Sequence, residues 1–220
     1  IHSEDFSKCA DRQREFMQAM RNGPIADVPE KANEQHYELP TEFFQQILGP
    51  HLKYSCAYWG DETLTLEQAA SETLGMTCQT PNIRGGMDIL ELGCGWGALT
   101  LWMAKHYPNS RITAVSNSEP QGEFIKERAR SRGLNNINVI TADMNAFSTE
   151  EHFHRVVSLE MFEHMRNWGE LFRRINNWLL PEGQLFIHIF VHRSTPYLFE
   201  DKDKNDWMSR HFFSGGMMPS

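Results

Sequence analysis

Polar and apolar positions divide the chain into two regimes. Residues 1–36 are mostly charged, and Phe6, Phe16, Met17 and Met20 recur at spacings that predict a helix up to Arg21. Asn22–Pro24 breaks it, and a second short helix is expected near Glu30–His36. Leu39–Gly49 reads as a short helix stopped by Gly49 and Pro50, and His51–Glu62 as an aromatic-rich loop. Thr65, with Gln68 three residues on, has the signature of a capping box that opens a helix to about Cys78. After Arg84 short apolar runs alternate with helical spacings. Met87–Leu92, Arg111–Ser116, Ile137–Ala142, Arg155–Glu160 and Gln184–Val191 read as strands. Between them lie helices ending near His106, over Glu119–Arg132 and over Asn167–Leu180. In the last of these Trp168, Leu171, Phe172, Ile175, Trp178 and Leu179 share a face, and Pro181–Gly183 is expected to turn the chain.

Strands alternating with helices of this length imply right-handed crossovers. The expectation is an α/β fold with a doubly wound, mostly parallel sheet and a helical N-terminal cap. In such sheets ligands sit beyond the carboxyl ends of the strands. Gly93–Gly97, Ser116–Ser118, Asp143–Met144 and Glu160–His164 all fall there.

Composition narrows the function classes. The 220 residues are enough for one domain with a real core, and 40% apolar and 23% charged content is ordinary for a globular protein. No apolar run is long enough to span a bilayer, Ile1 opens no signal peptide, and a first residue other than Met reads as a fragment or a processed chain. The net charge of −8 argues against a broad nucleic-acid surface. Cys9, Cys56, Cys78 and Cys94 form no CxxC pair, so no metal site is expected, and the sparse cysteines fit a reduced, cytoplasmic protein.

The loop in "ILELGCGWGALTLWMA" (Ile89–Ala104) can be scanned in two ways. Gly93, Gly95 and Ala98 fit the dinucleotide fingerprint G-x-G-x-x-A. Glu91, Gly93, Gly95 and Gly97 fit E-x-G-x-G-x-G, the loop of S-adenosylmethionine-dependent methyltransferases. A dinucleotide fold places an acid at the tip of its second strand to hold the ribose, and here that tip is Ser116–Ser118. Glu91 would repel a pyrophosphate but suits the positive charges of S-adenosylmethionine. The methyl donor is therefore favoured. Asn117 and Gln121 could hydrogen-bond the ribose, and Asp143 could accept from the adenine amine while Met144 packs on the ring. The plainer reading of Asp143 is a cap or turn residue.

The second informative stretch is "SLEMFEHMRNW" (Ser158–Trp168). If it is helical, Glu160 and His164 share a face, and with Glu163 they form an acid–base unit; the plainer reading is an acidic helix start. An amine acceptor needs such a base, because it is mostly protonated near neutrality. The aromatics of "KYSCAYW" (Lys53–Trp59) could wall an acceptor site or simply staple a loop to the core. His188, inside "LFIHIF", reads as a core histidine.

Together "YSCAYW", "ELGCGWG", "ITAVSNS", "FEHM" and "FIHIF" resemble the cyclopropane-fatty-acid synthase superfamily of methyltransferases. "VSNSEPQGEFI", "SLEMFEHMRNW" and "YLFEDKDKNDWMSRHFFSGGMMPS" are most similar to its coclaurine N-methyltransferase-like branch. The resemblance implies a class I, Rossmann-like methyltransferase fold. Residues 1–80 would be the helical cap and acceptor-side loop, and 81–220 a cofactor-binding core cut off before its last strands. Tyr54, Ser55, the glycine loop, Asn117, Gln121, Asp143 and Met144 would contact S-adenosylmethionine. In the N-methyltransferase branch Glu160, Glu163 and His164 would be the acceptor-site acid and base. In the lipid branch residues matching Cys56, Glu163 and His188 hold a bicarbonate ion. The expected acceptor is a small, partly apolar amine, with an unsaturated acyl lipid as the alternative. A nucleotide-dependent oxidoreductase and an idle cofactor-binding module are the more distant rivals.

Overall fold

The computed structural model describes residues 6–36, 39–63 and 65–220. Four helices come first: α1 (Phe6–Asn22), α2 (Pro29–His36), α3 (Thr41–Ile47) and α4 (Leu66–Gln79). The capping box forms at the start of α4, with Gln68 N–H donating to Thr65 Oγ1 at 3.2 Å and Thr65 N–H to Gln68 Oε1 at 3.0 Å. Next come β1 (Asp88–Leu92), α5 (Ala98–His106), β2 (Arg111–Ser116), α6 (Glu119–Ser131), β3 (Ile137–Thr141) and β4 (Phe153–Leu159). A single 3-10 turn (Phe162–His164) leads to α7 (Trp168–Trp178) and β5 (Leu179–His188). The chain closes with β6 (Tyr197–Leu198), α8 (Trp207–His211) and β7 (Met217–Met218), in which β6 and β7 pair antiparallel.

The five long strands run in the order β3-β2-β1-β4-β5, each pair parallel. Alternate residues of each strand serve opposite faces. Leu90, Leu92 and Val156 pack with Leu171, Ile175 and Trp178 of α7 on one face. Ile89, Ile112 and Val157 pack with Leu74 and Cys78 of α4 and Leu99 and Met103 of α5 on the other. By the same alternation Glu91 is directed to the α5 side. The strand order reverses between β1 and β4, which is where an open parallel sheet leaves a crevice for a ligand. Gly93 follows β1 and Glu160 follows β4 at this point, and a Cβ on Gly93 would come within 2.8 Å of Met161 Cβ.

Three expectations are corrected. Residues 160–164 are not an α-helix: Glu160 has a left-handed φ of +51° and only Phe162–His164 make one turn. Glu160 and His164 therefore do not share a helical face. Second, α7 ends at Trp178 and the chain extends at once, so Pro181–Gly183 form an irregularity inside β5 and not a turn before it. Pairing steps from Phe153–Leu179 to Arg155–Gln184, with Glu182 at φ +64°. Proline disfavours helical backbone in the residue before it, which stops the apolar Leu179 and Leu180 from continuing the helix. Third, His188 is not a core residue; it ends β5 with its side chain 42% exposed.

The segment linking α1 and α2 is strapped across the crevice by side chains of the core. Asn145 donates to Ala26 O at 2.9 Å and accepts from Ala26 N–H at 3.0 Å. Asn167 donates to Arg21 O and Gly23 O, and Asn117 to Pro29 O at 3.1 Å. Arg166 N–H donates to Ile25 O, and its guanidinium to Gly215 O at 2.7 Å, tying the last segment to the same strap.

Candidate active site

A cavity of about 350 Å³ lies at the carboxyl ends of β1 and β4, a size typical of small-molecule sites. Its floor is the glycine loop. Gly93, Gly95 and Gly97 all have φ between +51° and +78°, which glycine adopts without steric cost. A Cβ on Gly97 would lie 2.6 Å from Ile125 Cγ1, so this glycine lets the loop close on α6; Gly95 faces open space on the cavity wall. Helix α5 begins at Gly97 without a side-chain cap, which leaves its first N–H groups available to a ligand.

Glu91 is 3% exposed and lines the cavity. Thr100 Oγ1 donates to its Oε2 at 2.5 Å. Burial pushes its carboxyl up to about 8, against the opposing pull of the Thr100 hydroxyl. The group that the sequence reads as a negative charge is therefore neutral in the free pocket at pH 7. Gln121 is buried; its Oε1 accepts from Ser116 Oγ at 3.0 Å, and its Nε2 has no hydrogen-bond partner among the described residues. Asp143 accepts from Asn145 N–H at 3.0 Å, so it has the turn role, and it also lines the cavity beside the buried Met144. Asn117 lines the cavity too, with its amide donating to the strap.

The end of β4 supplies the chemistry. Glu160 Oε1 lies 3.4 Å from Cys56 Sγ, whose thiol donates to it, and 3.4 Å from His188 Nδ1. Burial acts to raise the Glu160 carboxyl, but the contacts with His188 and Cys56 and the charge of Lys53 outweigh it and hold its pKa below the usual carboxylate range. Glu163 has the opposite fate. It is fully buried, its Oε1 accepts from Phe190 N–H at 2.9 Å, and its Oε2 has no partner among the described residues. Burial, helped by the charge of Glu160, pushes its pKa up to about 7. Two carboxylates three residues apart are thus poised differently, a pattern that separates an ionised anchor from a proton acceptor. His164 lines the cavity with its ring 5.0 Å from that of Phe213.

Of the residues expected from sequence, Tyr54, Ser55, Cys56 and Glu160 line the cavity with those above, whereas Gly97, the buried Glu163 and the part-exposed His188 are not among its lining residues. Sequence reasoning missed Lys53. This lysine is 7% exposed, and its ammonium donates to Ser55 Oγ at 2.6 Å, Ser55 O at 3.2 Å and Cys56 O. It also missed Phe190, Phe212 and Phe213, which give the cavity an apolar wall. The buried Trp96, inside the glycine loop with its ring 5.0 Å from that of Phe44 and tilted against it, was overlooked as well. The one available signal was the lysine that opens the quoted "KYSCAYW" stretch, to which the sequence reading gave no role.

Residues 26–220 match the family described as mycolic acid cyclopropane synthetase. The chain is 38% identical over 200 residues to (S)-coclaurine N-methyltransferase of Thalictrum flavum subsp. glaucum, covering 91% of this chain and 55% of that protein. It is 33% identical over 189 residues to cyclopropane-fatty-acyl-phospholipid synthase of Escherichia coli K12, covering 85% of this chain and 46% of that one. The crystal structure of a coclaurine N-methyltransferase bound to N-methylheliamine and SAH superposes with a TM-score of 0.93 at 35% identity, over 100% of this chain and 64% of that one. The chain spans about half the length of the curated relatives it matches.

Proposed function

Because the chain belongs to the mycolic acid cyclopropane synthetase family, we propose that the protein is an S-adenosylmethionine-dependent methyltransferase that N-methylates a small, partly apolar amine. The observation that carries this reading is the split pair of carboxylates at the end of β4, Glu160 held ionised and Glu163 raised to about 7.

The cavity fits the cofactor on its own features: a glycine floor open at Gly95, an uncapped helix start, and a buried Gln121 amide in need of an acceptor. When bound, S-adenosylmethionine supplies a methyl group on a positively charged sulfur. Gly93, Gly95 and the start of α5 would carry its amino-acid end, with Tyr54 and Ser55 above. Gln121 would donate to a ribose hydroxyl, and Asp143 and Met144 would meet the adenine. Asn117 would serve by holding the strap at Pro29.

On the acceptor side Glu160 offers a fixed negative charge to an ammonium. Phe190, Phe212 and Phe213 exclude water and suit an apolar body. His164, which lines the cavity, takes the proton that leaves the nitrogen, and the buried Glu163, whose pKa lies near the working pH, serves as the group behind the wall that can hold it next. An amine with a free electron pair is thereby held where charge, water and proton are all controlled.

The test uses the full-length protein with labelled S-adenosylmethionine, a panel of amines and unsaturated phospholipid vesicles. Label in amines supports the reading; label in lipid alone overturns the acceptor. Calorimetry with SAH and NADH decides the cofactor, and binding of NADH without SAH overturns the methyltransferase itself.

A further inference from the structure

The resemblance to the lipid branch implies a bicarbonate ion held by Cys56, Glu163 and His188. The geometry does not leave room for it in that role. The Cys56 Sγ and His188 Nδ1 atoms converge on a carboxylate that the chain itself provides, each 3.4 Å from Glu160 Oε1. Polar atoms of these three side chains all lie within 4.8 Å of one another, and Glu163 is outside the group. Glu163 points its Oε1 to the Phe190 N–H. The two groups that would receive a small anion are therefore already turned on one, and a second anion alongside would meet the Glu160 charge at close range.

The backbone adds an independent argument. Glu160 sits at φ +51°, a conformation that favours glycine. A glutamate kept at such a point, straight after a strand, is retained for its side chain and not for its backbone. Lys53 supplies positive charge from the Cys56 loop, with its ammonium anchored on Ser55 and Cys56 oxygens.

We propose that Glu160 is a built-in substitute for an external anion: it fills the place between Cys56 and His188, so the chain takes no bicarbonate from solution, and removing its side chain opens a site for bicarbonate or formate. The binding half of this proposal stands without the activity proposed above; the rate half rests on it.

The experiment compares full-length wild type with Glu160→Gly, chosen because glycine relieves the left-handed backbone and so favours folding. Isothermal calorimetry with sodium bicarbonate and with sodium formate is expected to show no saturable binding to wild type. The variant is expected to bind either anion at one site, and His188→Ala in the Glu160→Gly background to abolish that binding. Methyl transfer by wild type is expected to be unchanged when bicarbonate is stripped from the buffer. That of the variant is expected to rise on the order of tenfold when either anion is added back. Saturable bicarbonate binding to wild type, or a rate that falls without bicarbonate, overturns the proposal whatever the variant does. A variant with a native thermal melt that binds neither anion overturns the claim that Glu160 fills an anion site.

Discussion

Replacing Glu91 by glutamine tests the electrostatics of the cavity most directly. The glutamine keeps the shape of the side chain, and its carbonyl can still accept from Thr100. In the unfolded chain the carboxyl titrates near its ordinary value of 4.5, and in the folded one near 8. The folded state therefore holds a proton that the unfolded state has released. The associated stability is complete below about pH 4.5 and is lost as pH rises through 8. At about 1.4 kcal/mol per unit, the loss between pH 5 and pH 8 comes to about 3 to 4 kcal/mol. Urea unfolding at several pH values should show Glu91→Gln gaining on wild type by this order as pH rises. Curves that run parallel across that range would refute the reasoning, because Glu91 would then be ionised when buried. The same logic governs binding. A positively charged ligand beside Glu91 draws it into its ionised form, so wild type at pH 7 should release close to one proton on binding S-adenosylmethionine. Calorimetry in buffers of different ionisation enthalpy reads that proton, and the glutamine variant should release none from this site.

Other outcomes follow from the same geometry. Glu163→Gln should lower turnover by about 10²- to 10⁴-fold, the usual contribution of general acid–base catalysis, by interrupting the proton path behind His164, with SAH affinity unchanged; an equal loss of affinity would place Glu163 in the cofactor site. Since a base acts when deprotonated, the wild-type single-turnover rate with saturating amine should climb between pH 6 and pH 8, through the raised Glu163 value of about 7. Gly97→Ala forces a Cβ to within 2.6 Å of Ile125 Cγ1 and adds about 1 to 2 kcal/mol of left-handed strain, so melting temperature and SAH binding should both fall. Asn145→Ala removes both bonds to Ala26, about 1 to 3 kcal/mol, and hydrogen exchange over residues 21–29 should accelerate while the β1 amides stay protected.

The strands were readable because the central three, β1, β2 and β4, bury both faces and so carry compact apolar runs, and because loops and helices between the strands have crossover lengths. The capping box was readable because its two bonds lie within four residues. What failed was local geometry decided by distant contacts. Nothing in "SLEMFEHM" announces that Glu160 takes a left-handed turn after pairing its N–H with His188 O. The partners of Cys56 could be guessed as carboxylate and imidazole, but which glutamate reaches them depends on that turn. Glu91 was recognised as part of the loop, yet its protonation depends on burial under α5, which one strand's sequence does not reveal. Asn145 and Ala26 are 119 residues apart, and no periodicity links them.

The strap over the crevice is held through its main chain. Carbonyls of Arg21, Gly23, Ile25, Ala26 and Pro29 and the N–H of Ala26 make the hydrogen bonds, and the groups that grip them, the side chains of Asn117, Asn145 and Asn167 and the backbone N–H of Arg166, belong to the core. These hydrogen bonds do not read the strap's own sequence; the core packing of Ile25 and Ala26 and the 3.9 Å ion pair of Asp27 with Arg166 do. Val28, half-buried and facing the cavity, can be exchanged without unfastening the roof, so drift at this point can reshape what the pocket admits while four anchor positions stay under constraint.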